Sequence, residues 1–385
     1  MANELLPGGR GYLYVKIEDN GYGVIPSVAP TTTDVIYVED FDWDYSQDDI
    51  PREGPSPGHP GSHLAEQGAK HLTFSFTCEI RPQTITNAND ADAPNVDALL
   101  RGGGFVRTSV ASTTDTHAYV LGVTSTESFW MEFYAIDESN ADGNKVVFPG
   151  CVCSTSFSFE PGGRILMSVS GVAVFNGSAG VTAHGGAAAT LTYSSDEPVM
   201  ARGATVQWSN VDSSDAMYGG GSLASPGNAV LVRNLSIDTN MNPVERPGLT
   251  GSFGAAAIRL APSGPPTSQG TYEAVVVGDF DPWAIKAAKN AMHNRFVFPA
   301  PTGTTTTTTV LYYGQIMGEI DESVDDVRVW ALEQHMRSPE DATGAAGQVG
   351  RKPTQVMTAG TNEGLPLAVA GITAGPLAIL FTTPQ

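Results

Sequence analysis

Alternation with a period of two is the feature that most constrains this chain. In HLTFSFTCEI (71–80), Leu72, Phe74, Phe76, Cys78 and Ile80 fall on one face, and His71, Thr73, Ser75, Thr77 and Glu79 fall on the other. In CVCSTSFSFEPGGRILMSVSGVAVF (151–175), Cys151, Cys153, Phe157 and Phe159 alternate with Ser154, Ser156, Ser158 and Glu160. Pro161-Gly162-Gly163 supplies a turn, and Ile165, Met167 and Val169 alternate with Ser168 and Ser170 on the return. A period of two places successive side chains on opposite faces of a strand, so these runs predict half-buried strands and a hairpin. GYLYVKIE (11–18), VIYVEDFDWDY (35–45), AYVLGVT (118–124) and FWMEFYAID (129–137) read as further strands. Charged residues make up only 16%, while the 43 glycines and 26 prolines supply turns, a balance that suits a mainly β protein.

The second half repeats the first. Set ungapped at an offset of 194, VEDFDWDYSQDDIPREG (38–54) and VRNLSIDTNMNPVERPG (232–248) share Val38/Val232, Asp44/Asp238, Arg52/Arg246 and Gly54/Gly248. Phe41/Leu235, Trp43/Ile237 and Ile50/Val244 keep the apolar positions. SFGAAAIRLA (252–261) then answers the strand at 71–80, and 310–321 with 325–336 answers the hairpin at 145–175. Each half carries one short helix signal. In the first, Asp92 caps, Pro94 sits in the first turn, Val96, Leu99 and Leu100 give the spacing and Gly102 ends it; in the second, Asp281-Pro282 starts it. The order of elements predicts a duplication, with one β domain over 1–180 and a second over 181–385. NGSAGVTAHGGAAAT (176–190) reads as a loose connection. Residues 340–385 are an addition, either strands closing the second domain or an arm reaching a neighbour.

Net charge is −21, from 41 acidic and 20 basic residues. That sign argues against a protein that grips nucleic acid, which needs a basic footprint. It does not argue against a surface that nucleic acid must pass without sticking. No apolar run approaches the length of a membrane span, and the opening MANELLPGGRGYLYVKIEDN lacks the basic and apolar regions of a signal peptide. Cys78, Cys151 and Cys153 lie on apolar strand faces and read as core. DESNADGNKVVF (137–148) has a calcium-loop start, but its twelfth position from Glu138 is Pro149; Asp142-Gly143 reads as a hairpin turn. There is no nucleophile elbow, Walker loop or H-E-x-x-H. No enzyme activity, metal or cofactor is expected.

Two features are more specific. In Asp40-Phe41-Asp42-Trp43-Asp44-Tyr45 the aspartates share one strand face and the aromatics the other. The bland reading is a solvated face; the sharper one is a surface kept anionic, or a cation site. SQDDIPREGPSPGHPGSHLAEQG (46–68) is a long Pro- and Gly-rich loop between strands, which reads as a projecting arm.

The acidic strand and arm at 38–68, the strand HLTFSFTCEIRP, the short helix in NANDADAPNVDALLRGGGF and the hairpin in FPGCVCSTSFSFEPGGRILMSVSGVAVF together resemble the tail tube proteins of long-tailed bacteriophages. The resemblance covers residues 10–175 and, more loosely, 200–336. It implies two tandem tail-tube-like β-barrel or sandwich domains, each with one short flanking α-helix. In that family six domains make a ring whose inner strands join into a barrel, rings stack through loops and arms, and an anionic lumen lets genomic DNA slide. Two domains per chain imply a homotrimeric, pseudo-hexameric ring. Carried over by position, Asp40, Asp42, Asp44 and Asp238 become lumen-facing candidates. Asp48, Asp49, Arg52, Glu53 and Arg246 become inter-ring arm candidates, within the arm 46–68 and its shorter counterpart 242–252. The implied partners are further copies of the chain, a tape measure protein and a tail terminator, with DNA in transit and no membrane, in a virion tail made in the host cytoplasm. Two other readings stand beside it: another virion β-protein (tail tip, fibre or capsid decoration), and a carbohydrate-binding β-protein.

Overall fold

The computed structural model describes residues 11–31, 34–50, 66–86, 92–110, 114–122, 127–135, 143–175, 180–184, 197–210, 230–247, 255–274, 282–287, 291–324, 328–336 and 376–384. The alternating runs are realised as strands, and the chain is mainly β. In the first half these are β1 (Gly11–Ile17), β2 (Val35–Ile36), β3 (Val38–Ile50), β4 (Glu66–Glu79), β5 (Phe105–Val110), β6 (Thr114–Leu121), β7 (Phe129–Ala135), β8 (Gly143–Phe159), β9 (Ile165–Ala173) and β10 (Gly180–His184). In the second they are β11 (Thr205–Asn210), β12 (Val230–Asp238), β13 (Met241–Pro247), β14 (Ala255–Pro262), β15 (Thr267–Ala274), β16 (Ala291–Phe298), β17 (Thr307–Val324), β18 (Arg328–Met336) and β19 (Leu377–Pro384). Two short helices, α1 (Asp97–Gly102) and α2 (Pro282–Ala287), follow β4 and β15.

One pattern of strand pairing occurs twice. In the first half, neighbours run β1-β7-β8-β9-β4-β3, with β10 also on β8. In the second they run β11-β16-β17-β18-β15-β12, with β19 also on β17. Every one of these pairings is antiparallel. The offset of 194 holds in the register. Val38 lies opposite Cys78 and Trp43 opposite Phe74; Val232 lies opposite Tyr272 and Ile237 opposite Ser268. Both ladders carry a bulge at adjacent equivalent positions, between Glu39 and Asp42 in one and between Val232 and Asn234 in the other. A bulge inserts one unpaired residue and strengthens the local twist, so a shared bulge is a shared shape.

The halves are fused along a sheet edge. The end of β8 pairs with β12: Phe159 opposite Leu235, Ser158 opposite Ser236, Phe157 opposite Ile237 and Ser156 opposite Asp238. One antiparallel sheet therefore runs β3-β4-β9-β8-β12-β15-β18-β17 across both halves. Behind it lies a continuous core. Leu13, Phe129 and Met131 from β1 and β7 meet Phe74, Phe76, Val169 and Phe157 from the long sheet, with Val96, Leu99 and Leu100 beside α1. Phe159 stacks on Phe298 at 5.4 Å, carrying the core across the junction.

Several expectations are corrected. Residues 180–184 form β10 on β8, in place of a loose connection, so the first half's sheet extends past 180. Asp92 does not cap α1. Its carboxylate accepts the Thr86 backbone N–H at 3.1 Å and hydroxyl at 2.8 Å, and it stands too far ahead of Asp97 to reach the helix's first N–H groups. The strand in the place of β4 is β15, not 252–261; β14 instead forms a separate hairpin with β13. That hairpin is bent away at Asn240, whose φ of 50° is tolerated by Asn and whose Nδ2 donates to the Pro265 carbonyl at 2.7 Å. Residues 46–50 and 66–68 belong to β3 and β4, so the long loop is narrower than 46–68; residues 51–65 lie outside the described residues. Of the C-terminal addition, β19 pairs with β17 of its own half, as a strand closing that half would, and also with β6 of the other half; residues 340–375 lie outside the described residues.

Two tests follow from this packing. A Cβ on Gly171 of β9 would lie 2.4 Å from Phe74 Cζ and 2.6 Å from the Val152 carbonyl oxygen. Gly171→Ala should cost about 1–3 kcal/mol through overpacking, read as a lower urea midpoint. At the β6–β19 seam His117 is fully buried, with Nδ1 2.8 Å from Ser109 Oγ and Nε2 without a partner. Burial first, then the Arg107 charge, lowers its pKa from 6.5 to about 4, against the opposing pull of Asp92 and Asp115. A lowered folded pKa means the unfolded chain takes the proton first. The His117 contribution is present above pH 6.5 and is lost as pH falls towards 4. His117→Leu should flatten that part of the stability profile, measured as the difference from wild type.

Candidate functional site

The long sheet has one buried face and one polar face. On the polar face stand Asp42 and Asp44 of β3, Thr73 and Ser75 of β4, Ser168 and Ser170 of β9, and Ser154, Ser156 and Ser158 of β8. Asn234, Ser236 and Asp238 of β12 and Gln269 and Thr271 of β15 continue it across the junction. Register turns these residues into rows. Thr77, Ser168, Ser156, Asp238, Thr267 and His335 lie successively opposite one another across the strands. A neighbouring row runs Asp42, Ser75, Ser170 and Ser154. Thr77 Oγ1 and Ser168 Oγ are 3.3 Å apart, one of the cross-row contacts.

Short hydroxyls and carboxylates give this surface a particular chemistry. A shallow groove along it is lined by Ser156, Ser158, Ser168, Ser236, Asp238 and Gln269. The hydroxyls are small and strongly hydrated, so they present neither aromatic platforms nor cations to a passing polymer. The carboxylates repel phosphate.

The predicted site residues fall as follows. Asp42 and Asp44 are exposed on the polar face, in strand positions opposite Ser75 and Thr73. Asp238 joins them on β12, opposite Ser156. Asp40 is exposed but sits in the bulge with φ 53°, outside the regular ladder. Phe41 and Trp43 turn to the core, where Phe41 stacks on Phe133 at 4.4 Å and Trp43 meets Phe148 edge-on at 6.1 Å. Tyr45 leaves that pattern: it is exposed and lies against Phe175 at 5.4 Å. Asp48 and Asp49 lie on β3 with Asp49 opposite Gln67, and Arg246 lies on β13 opposite Ala257. Arg52 and Glu53 lie outside the described residues. The serines of β8 and β9 were legible only as polar sides of strands; the rows they form depend on register.

Buried ionic groups elsewhere act as ties. Glu79 receives Arg81 at 2.7 Å and also Arg164. Asp97 receives Tyr119 at 2.7 Å and Arg107 at 2.9 Å. Glu132 receives Trp130 Nε1 at 2.9 Å, Tyr134 Oη at 2.6 Å and Lys145 at 3.0 Å. Each carboxylate is occupied by donors, the arrangement that makes a buried charge tolerable. Burial pushes the three cysteine thiols upward, away from thiolate chemistry. Among the described residues no group of three or more His, Cys, Asp and Glu side chains is placed to hold a metal ion, and no helix is long and apolar enough to cross a membrane.

No family model and no curated protein matches this chain.

The polar face contributes little to folding on this geometry, because its carboxylates are exposed and lie outside the core. Replacing Asp42, Asp44 and Asp238 together by Asn should leave the urea unfolding free energy within about 0.5 kcal/mol per site.

Proposed function

We propose that this chain is a self-assembling structural protein of the phage tail-tube kind, whose copies close into stacked rings around an anionic conduit for genome DNA. The observation that carries this reading is the edge-to-edge joining of two like sets of strands through β8 and β12. The same edges remain unpaired at the two ends of the sheet, on β3 and on the end of β17, among the described residues. An open edge displays a row of backbone donors and acceptors that a second chain can satisfy. A contact between unlike edges is heterologous, and it generates a ring when the rotation closes.

In this reading each half acts as one tube domain, and three copies supply the six domains of a ring. The hydroxyl and carboxylate face lines the channel, with Asp42, Asp44 and Asp238 on it. A net charge of −21 then serves passage: a low-dielectric wall bearing one sign of charge repels a polymer of the same sign. The partners are further copies of the chain, with a tape measure protein and a tail terminator, in the virion tail.

Negative-stain microscopy of concentrated protein tests the assembly. Rings or tubes with an axial hole and threefold averages are expected; discrete particles without a hole favour a tip, fibre or decoration protein instead. The lumen is tested separately with Ser168→Lys, Ser170→Lys and Asp238→Lys, which lie away from the open edges. Tubes of this variant, assembled at high salt, fixed by chemical cross-linking and returned to low salt, should retain duplex DNA, and wild-type tubes treated alike should not. Equal retention by both would remove the channel role.

A further inference from the structure

The junction inside the chain specifies, by equivalence, a junction between chains. β12 corresponds to β3 by the shared offset and bulge, so Leu235, Ser236, Ile237 and Asp238 correspond to Phe41, Asp42, Trp43 and Asp44. β8 corresponds to β17 through their partners. Cys78 lies opposite Met167, which lies opposite Phe157; the equivalent Tyr272 lies opposite Trp330, which lies opposite Glu322. Ser156, Phe157, Ser158 and Phe159 therefore correspond to Asp321, Glu322, Ser323 and Val324. A bulge between Met317 and Asp321 separates this end of β17 from the part paired with β16 and β19.

We infer that copies of this chain join with β17 of one against β3 of the next, Val324 opposite Phe41, Ser323 opposite Asp42, Glu322 opposite Trp43 and Asp321 opposite Asp44, and that charge at this joint gates assembly. The inference rests on the self-assembly reading above and adds to it the register and the control. Inside the chain, Asp238 meets the hydroxyl residue Ser156. Between chains, Asp44 meets Asp321, and Asp42 stands two positions along β3 on the same face. Directly opposed residues of an antiparallel pair have Cβ atoms about 4.5–5.5 Å apart, and like charges there are destabilising. Arg328 stands opposite Val324 at the strand's end, and the Lys286 ammonium donates to the Gly318 carbonyl three residues before Asp321. The internal joint has no such charge pair and forms in every copy. The external joint forms when its charges are screened or neutralised, which separates folding of the chain from growth of the assembly.

The test uses the full chain and reads assembly by sedimentation velocity while salt rises from about 0.01 M to about 1 M, over which the Debye length falls from about 30 Å to about 3 Å. Unassembled copies at low salt and larger species at high salt are expected. Asp321→Ser, which copies Ser156, should strengthen association at low salt about two- to five-fold while leaving the unfolding midpoint unchanged. Asp42→Cys with Ser323→Cys should give disulfide-linked oligomers, and Ser46→Cys with Ser323→Cys should not. Assembly that is independent of salt, or cross-linking by the second pair in place of the first, overturns the joint as drawn while leaving self-assembly intact. Failure to assemble at any salt concentration overturns the self-assembly reading itself.

Discussion

Backbone pairing between the end of β8 and β12 is the constraint on which the rest of this molecule depends. It makes one sheet of two sets of strands, sets the polar residues of both in common rows, and carries the core through Phe159 and Phe298. It is reinforced from the other side. Thr239 donates through its N–H and hydroxyl to the Thr155 carbonyl, at 3.3 and 2.8 Å, and the Ile85 N–H donates to Thr383 Oγ1 at 3.0 Å. β19 crosses to β6. The β13–β14 hairpin lies over the first half, with Met241 and Leu260 beside Gly104 and the Ile258 N–H donating to Tyr22 Oη at 2.7 Å. These contacts enclose the seam between the halves.

The same framework is packed in two different ways. In the first half Phe74, Phe76 and Cys78 of β4 make an apolar layer. The corresponding positions of β15 are Ser268, Gly270 and Tyr272. The Tyr272 ring occupies the space over Gly270, and its hydroxyl approaches that of Tyr312 at 3.5 Å. Asn294 donates to Gln334 at 2.9 Å within the same buried layer. Hydrogen-bonded polar groups replace apolar volume there, at the risk that any unmatched donor carries a desolvation cost. The pairing pattern recurs while the core chemistry differs, so the likeness of the two halves is faint in the sequence and plain in the register.

Strand pattern was the most legible property of the chain, since alternation in 71–80 and 151–175 needs only local information. The offset of 194 was readable from seven positions, and the ladder of β12 with β15 carries the same offset as that of β3 with β4 and a bulge at the adjacent position. Short strands were less legible. β10, β11 and β5 lack a clear apolar face, and their existence depends on an edge of β8, β16 or β6 that only the folded chain presents. Asp92 looked like a helix cap because cap residues are recognised by type; its side chain was satisfied instead by Thr86 across a turn.

By itself the sequence determined the β class, the faces of its main strands, the burial of its cysteines and the acidic balance, because these follow from residue type and period. Only the tertiary structure decided which edges meet and which stay open. A period of two says which face of a strand is polar but nothing of its neighbour. The rows of serine, threonine and aspartate, and the contrast between Asp238 opposite Ser156 and an Asp44 edge that is unpaired among the described residues, arise from long-range register, which is set by the bulges and by the fit of one core against both halves.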